Sequence, residues 1–274
     1  WYEKAADQGF ARAQYKLGWM YFKGRGVSQN DTKAVEWYEK AADQGFAEAQ
    51  GNLGSMYSKG KGVPQNDVKA VEWFQKAADQ GLASAQNNMG YVYRIGKGVL
   101  QNDTKALEWY QKAADQGNAN AQLNLGQMYL DGIGVPQNDT KMIEWYQKAA
   151  DQGEAVAQSN LSSMYGNGRG VPQNDIKAVE WCQKASDQGL AEAQCNLGSM
   201  YFYGKGVPQN DMKAVEWYQK AADQGYAVSQ LTLGWMYETG RGVPRDKLKA
   251  MEWYRKSASQ GNADALKNLK RLEH

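Results

Sequence analysis

The stretch GVPQNDVKAVEWFQKAADQG, residues 62–81, reads as a short turn followed by one amphipathic helix. Asn66 stands at the N-cap, where its side-chain oxygen can accept from the free amides of the first turn, a contact worth about 0.5–2 kcal/mol. Asp67 then suits the positive helix end. Ala70, Val71, Trp73, Phe74, Ala77 and Ala78 supply an apolar stripe at helical spacing. Glu72 and Lys76 are four apart, in the favourable order for a surface ion pair. Gly81 ends the helix.

Nearly the same words begin at residues 26, 98, 134, 170, 206 and 242. Trp1, Trp37, Trp73, Trp109, Trp145, Trp181, Trp217 and Trp253 are each 36 residues apart, with no insertion or deletion between them. A fixed period of this size marks a repeat array in which each unit buries its apolar face against its neighbours. The array is expected to occupy residues 1–274 as one domain: a partial first repeat 1–9, full repeats 10–45, 46–81, 82–117, 118–153, 154–189, 190–225 and 226–261, and a C-terminal capping helix 262–274. The N-cap column itself supports the helix boundaries. Asn30, Asn66, Asn102, Asn138, Asn174 and Asn210 are followed by Asp246, and Asn and Asp exchange freely at an N-cap.

The other half of each period carries a second helical pattern, as in Phe46 to Ser58, which ends at the glycine pair Gly60 and Gly62. Nothing reads as a strand. Two short helices per unit joined by glycine-bounded turns give an all-α solenoid of stacked antiparallel helix pairs. Small residues such as Ala11, Ala13, Gly18, Ala41 and Ala42 let the helices approach, and the repeated tryptophan is expected to fill the space between hairpins. Truncating such a buried Trp to Ala would cost roughly 3–5 kcal/mol.

The run A-x-A-Q-x-x-L-G-x-M-Y at Ala47 to Tyr57, followed by G-x-G-V-P-Q and K-A-x-E-W-Y-x-K-A-A-x-Q-G, closely resembles the Sel1-like repeat, a relative of the tetratricopeptide repeat. The resemblance covers essentially the whole chain. It implies a right-handed superhelix of helix pairs serving as a protein-interaction scaffold or adaptor. Such proteins are common in bacteria and occur in eukaryotic endoplasmic-reticulum quality control.

Composition narrows the function classes. With 32 basic and 30 acidic residues the net charge is +2, far from the basic profile of a nucleic-acid binder. Arg25, Lys61, Lys97, Arg169, Lys205 and Arg241 stand between the turn glycines of successive repeats. They are either a basic edge for an acidic partner or, the favoured reading, solvated turns offset by the Asp31 and Glu36 columns. The G-K-G turns lack the Lys-Ser/Thr of a phosphate-binding loop. Cys182 and Cys195 are expected as two free thiols, which favours a reducing compartment without excluding the periplasm. No apolar run of about 18 residues suggests a membrane span. Both ends look cut: Trp1 falls midway through a helix, and Leu272-Glu273-His274 is either part of a native cap carrying Leu266 and Leu269 or the stub of an expression tag. Localisation stays open.

His274 is the one histidine, so acid-base or nucleophilic chemistry built on His has no candidate, and one histidine with two cysteines makes no metal site. Asp7, Glu36 and Asp43 recur once per unit, as structural residues do. A non-catalytic protein without metal or cofactor is expected.

The varied positions indicate where specificity resides. Counting the first alanine of the first helix as one, columns two, five, nine and twelve change from copy to copy, and their spacing puts them on one helical face. In the related tetratricopeptide fold that face lines the concave groove. The partner-binding candidates from these columns are Arg12, Tyr15, Trp19, Phe22, Tyr91, Arg94, Gln127, Phe202, Leu231 and Trp235. Trp19 and Trp235 stand outside the 36-residue ruler, and Trp, Tyr and Arg are enriched at binding hot spots. Column six repeats one amide, as Asn52, Asn88, Asn124, Asn160 and Asn196. It is either a ladder gripping the backbone of an extended peptide or a set of bonds within and between neighbouring helices. The expected function is a scaffold binding a protein or extended peptide in the groove. The alternative is a folded partner, a host protein among the possibilities, docked on the convex face or the basic turn edge.

Overall fold

The computed structural model describes residues 2–273. Trp1, the start of the tryptophan ruler, and His274, with the last residue of the suspected tag, lie outside them. The regular structure of the described residues is α-helix throughout, in two compact units. The unit ending at Asn138 holds α1 (Tyr2–Asp7), α2 (Ala11–Lys23), α3 (Asp31–Asp43), α4 (Ala47–Lys59), α5 (Asp67–Asp79), α6 (Ala83–Ile95), α7 (Asp103–Asp115) and α8 (Ala119–Asp131). The unit beginning at Asp139 holds α9 (Asp139–Asp151), α10 (Ala155–Asn167), α11 (Asp175–Asp187), α12 (Ala191–Tyr203), α13 (Asp211–Asp223), α14 (Ala227–Thr239), α15 (Lys247–Ala258) and α16 (Ala263–Glu273). Within each unit an even-numbered helix packs most closely on the odd-numbered helix that follows it, and the next even helix packs on that one.

The helix ends obey the local chemistry of the repeat. Asn30, Asn66, Asn102, Asn174 and Asn210 each accept from the backbone N–H three residues on, and Asp246 does the same for Lys249 at 3.0 Å. At the far end of α5, Gly81 has a φ of 88°; its N–H reaches the Ala78 carbonyl and that of Leu82 reaches Ala77, a two-bond C-cap that favours glycine.

The core differs from the expectation in which aromatic is buried. The ring after the tryptophan, Tyr38, Phe74, Tyr110, Tyr146, Tyr218 or Tyr254, is fully or almost fully buried. Trp145 and Trp253 are buried, whereas Trp37, Trp73, Trp109, Trp181 and Trp217 are only half-buried, each with the lysine three residues on over its face. The ammonium of Lys76 thus lies 4.0 Å from the Trp73 centroid, and the ion pair expected with Glu72 is found instead at Glu144–Lys148 and Glu252–Lys256. A cation over an indole near the surface contributes about 0.5–1 kcal/mol, comparable to a surface ion pair, and at Lys148 and Lys256 the two contacts coexist.

The buried rings lie flat on helix backbone, which needs glycine at the contact. A Cβ on Gly54 would come 2.6 Å from the Phe74 ring, and one on Gly90 2.5 Å from Tyr110. In the sixth copy the ring is replaced by Cys182, and the glycine column there carries Ser162.

A fixed polar column ties the stack together. Gln50 is buried in α4; its amide donates to the Ala42 carbonyl of α3 at 3.0 Å, and its oxygen accepts from Gln80 at the end of α5 at 2.7 Å. Gln14, Gln86, Gln158, Gln194 and Gln230 repeat both bonds, each joining three successive helices. With both polar ends of the amide satisfied, its burial carries little desolvation penalty. In α16, Leu269 is buried and Leu272 half-buried against the α15 cluster, while Leu266, also expected in the apolar stripe, is 45% exposed.

Candidate functional site

Each unit presents a face built from its even-numbered helices. On the first, Arg12 and Tyr91 are exposed and Trp19, Phe22, Asn52, Asn88, Arg94, Asn124 and Gln127 are half-buried. Trp19 lines an open cavity of about 480 Å³ with Tyr2, Lys16 and Arg25, and the Arg25 guanidinium is 5.8 Å from its indole. A second cavity, of about 230 Å³, is lined by Tyr15, Glu48, Asn52, Ser84 and Asn88 from α2, α4 and α6. On the second unit Asn196 and Trp235 are exposed, and Asn160 and Leu231 half-buried. Ser162, Ser163, Asn196 and Ser199 border a polar cavity of about 300 Å³, and Tyr203, Leu231, Trp235, Arg241 and Asn268 one of about 490 Å³.

The expectation of one exposed stripe needs correction at Phe202 and in column five. Phe202 is buried at 9% exposure, edge-on to Trp235 at 5.7 Å and capped by the Arg241 guanidinium at 3.8 Å. It supports the Trp235 cavity from below. Ser159 and Cys195 of column five are buried as well, and Tyr15 is half-buried, its ring 5.1 Å from that of Phe46 and tilted 40° to it. Column five varies because it must fit the residue that opens the next first helix: Tyr15 meets Phe46, and Gly51 leaves room for Leu82, which a Cβ there would approach to 3.2 Å. Free variation is left to columns two and nine, with twelve facing the neighbouring turn.

The asparagine column shows two kinds of surroundings. Asn124 donates to Asn87 on the adjacent helix α6 at 3.1 Å, and Asn52 faces the Tyr15 and Tyr38 hydroxyls. Asn196 is open to solvent beside the polar cavity.

Three of the six turn cations are paired within the chain. Lys97, Arg169 and Arg241 lie 3.3, 3.2 and 2.8 Å from Asp67, Asp139 and Asp211, the first-turn aspartates of the preceding repeat. Cys182 and Cys195 are buried free thiols. Burial pushes the Cys182 thiol up to about 11 and raises Cys195, so neither is a ready nucleophile. Among the described residues no group of three or more His, Cys, Asp or Glu could hold a metal ion, and no helix is long and apolar enough to cross a membrane.

Sequence reasoning missed the buried glutamine column, Tyr203 and Tyr38. The glutamines gave a signal, an unvarying polar position inside a small-residue face; Tyr203 and Tyr38 gave none that local pattern could read.

The 36-residue helix pairs match the Sel1 repeat over residues 1–10, 11–46, 47–82, 83–118, 119–154, 155–190, 191–226 and 227–262. The chain belongs to the Sel1 repeat family. The family's repeat boundaries fall one residue later than those read from the sequence. Among solved structures, this Sel1 chain is similar to c5321, described as a protective antigen present in uropathogenic Escherichia coli strains. The identity is 42% and the TM-score 0.84, over 98% of this chain and 58% of that one. A Sel1 repeat protein from Oxalobacter formigenes is 40% identical with a TM-score of 0.81, over 99% of this chain and 78% of that one. Yeast Tom70 shares the fold at 14% identity and a TM-score of 0.55, over 99% of this chain and 57% of its own. The Sel1 array spans somewhat over half the length of the Escherichia coli protein. No curated protein matches it. Sel1 solenoids are a fold typical of protein-interaction scaffolds and are generally non-catalytic.

Proposed function

We propose that the chain is a non-catalytic scaffold that binds an extended segment of a partner protein along the even-helix face of each unit. The observation that carries this reading is the arrangement of open cavities on that face at the places where the repeats differ. Trp19 and Trp235 each border one, of about 480 and 490 Å³, while the residues beneath them are packed. Cavities of this size accept one or two side chains of a peptide. Exposed aromatic rings beside an arginine supply the chemistry of a hot spot. Exposed Asn196 and half-buried Asn88 and Asn160 leave amides within reach of a peptide backbone.

Affinity capture from lysates of bacterial and host cells tests it, comparing wild type with a Trp19→Ala, Tyr91→Ala, Trp235→Ala variant of unchanged helical circular dichroism. A partner lost by the variant supports the face. A partner retained with equal affinity removes it, and a matching Asn88→Ala, Asn160→Ala, Asn196→Ala variant tests the amides separately.

A second reading has its own support. Ile176, Met212 and Leu248, in the first turns of α11, α13 and α15, are 65%, 67% and 80% exposed, an apolar column away from the even-helix face. A folded partner docked there would be insensitive to the Trp variants and to salt.

A further inference from the structure

In the first unit, Phe22, Tyr38, Asn52, Met56, Lys59 and Lys61 surround a cavity of about 110 Å³. Tyr38 is 1% exposed, and its hydroxyl is buried with no hydrogen-bond partner. Burial, reinforced by nearby Tyr15, raises the phenol above its ordinary range despite Asn52, so the group is a neutral O–H donor lacking an acceptor. Lys61, like Lys205, makes no ion pair with the aspartate of the preceding repeat, where Lys97, Arg169 and Arg241 do. The Lys61 ammonium instead lies 5.2 Å from the Phe22 ring, beside the cavity. The lining contains two cations, a phenol donor and an amide, and no carboxylate.

The same place six repeats on shows what such a site holds. There Tyr254 donates to Glu238 at 2.8 Å, and Arg271 binds both oxygens of that carboxylate at 2.6 and 2.8 Å. Against partial burial, which raises it, the Arg271 and Tyr254 bonds hold the Glu238 carboxyl below its ordinary range. Tyr38 corresponds to Tyr254, Phe22 to Glu238 and Ser55 to Arg271. The first unit therefore keeps the phenol, lacks the internal carboxylate, and brings its positive charge from Lys59 and Lys61.

We propose that this cavity binds a carboxylate from outside the chain, an acidic side chain of a segment lying on the even-helix face. That the carboxylate belongs to a peptide rests on the function proposed above; the site itself does not. Its methylene stem would lie against Phe22 and Met56, with the oxygens taking the Tyr38 O–H and the lysine ammoniums.

The test is a titration of the ¹⁵N-labelled chain at constant ionic strength with the α-amides of N-acetylglutamate and N-acetylglutamine and with inorganic phosphate. The expected result is a saturable, millimolar response to the N-acetylglutamate amide at Phe22 and from Ser55 to Lys61, with none to the other two. Tyr38→Phe, safe because Phe74 holds the same place one repeat on, should weaken binding about ten-fold, the value of one charge-assisted hydrogen bond. Lys61→Met should weaken it at least as much. Phe22→Glu, which copies Glu238, should fill the cavity from within and abolish binding. No saturable response, a response to phosphate alone, or unchanged affinity in Tyr38→Phe overturns the site. Because the probe is a free amino-acid derivative, its failure leaves the face reading standing without an acidic anchor, and failure of partner capture leaves the site standing.

Discussion

At the scale of single residues, the most informative pair is Ser162 and Cys182, where the glycine–ring contact of the other copies has changed on both sides. Gly90→Ala, which drives a Cβ to within 2.5 Å of the Tyr110 ring, is expected to cost about 1–3 kcal/mol in urea unfolding. Cys182→Tyr alone should be destabilising, and Cys182→Tyr with Ser162→Gly should recover most of the loss; additive effects would show that the two positions are not coupled. The Cys182 thiol also makes a pH prediction. Its value of about 11 in the fold exceeds the ordinary 9.0, so its contribution is whole below pH 9 and is lost as the pH climbs to 11. The stability difference between wild type and Cys182→Ala should narrow over that window.

At the scale of the helix, caps and the glutamine column carry separable energies. Asn102→Ala should cost about 1 kcal/mol, whereas Asn102→Asp should be nearly neutral, because Asp246 already performs that role. Gln86→Ala removes the bonds to the Ala78 carbonyl and from the Gln116 amide, both of which keep other partners, and should cost about 1–2 kcal/mol, with a coupling near 1 kcal/mol to Gln116→Ala in a double-mutant cycle. The caps were legible in the sequence because an N-cap is a local bond, three residues long, and the Asn-to-Asp exchange at 246 gave it away. The choice of Tyr38 over Trp37 as the core ring was not legible, since both lie on the apolar stripe and only the facing Gly18 decides between them. Phe202 was read as a free contact because its cover, Trp235 and Arg241, is a full repeat away in sequence. Column five looked like specificity for the same reason: Tyr15 and Phe46 are neighbours only after the hairpins stack.

At the scale of the molecule, a stack in which each helix meets mainly its sequence neighbours should respond locally to damage. Native-state hydrogen exchange of Gly90→Ala should lose protection chiefly in α6 and α7, less in α4 and α8, and least in α2; uniform loss across the first unit would mean that the repeats open together. The pairing of Lys97, Arg169 and Arg241 with aspartates bears on partners as well. These three cations should therefore add little salt dependence to binding on the even-helix face, and a steep dependence would point to charges other than these, such as Lys59 and Lys61.

The glutamine column has a consequence for how such a chain can change over generations. Gln50 reads Ala42 behind it and is read by Gln80 ahead, and the same two bonds recur with Gln86 and Gln116. The hydrogen-bonded part of these seams is therefore the same from one to the next. A recombination event that deletes or duplicates one whole period within a unit joins surfaces whose hydrogen bonds already match, leaving only the column-five contact to be refitted. Changes at Trp19, Tyr91 or Trp235 alter what the face selects without touching the glutamine bonds. Reach and selectivity are thus inherited independently, one through copy number and the other through point substitution.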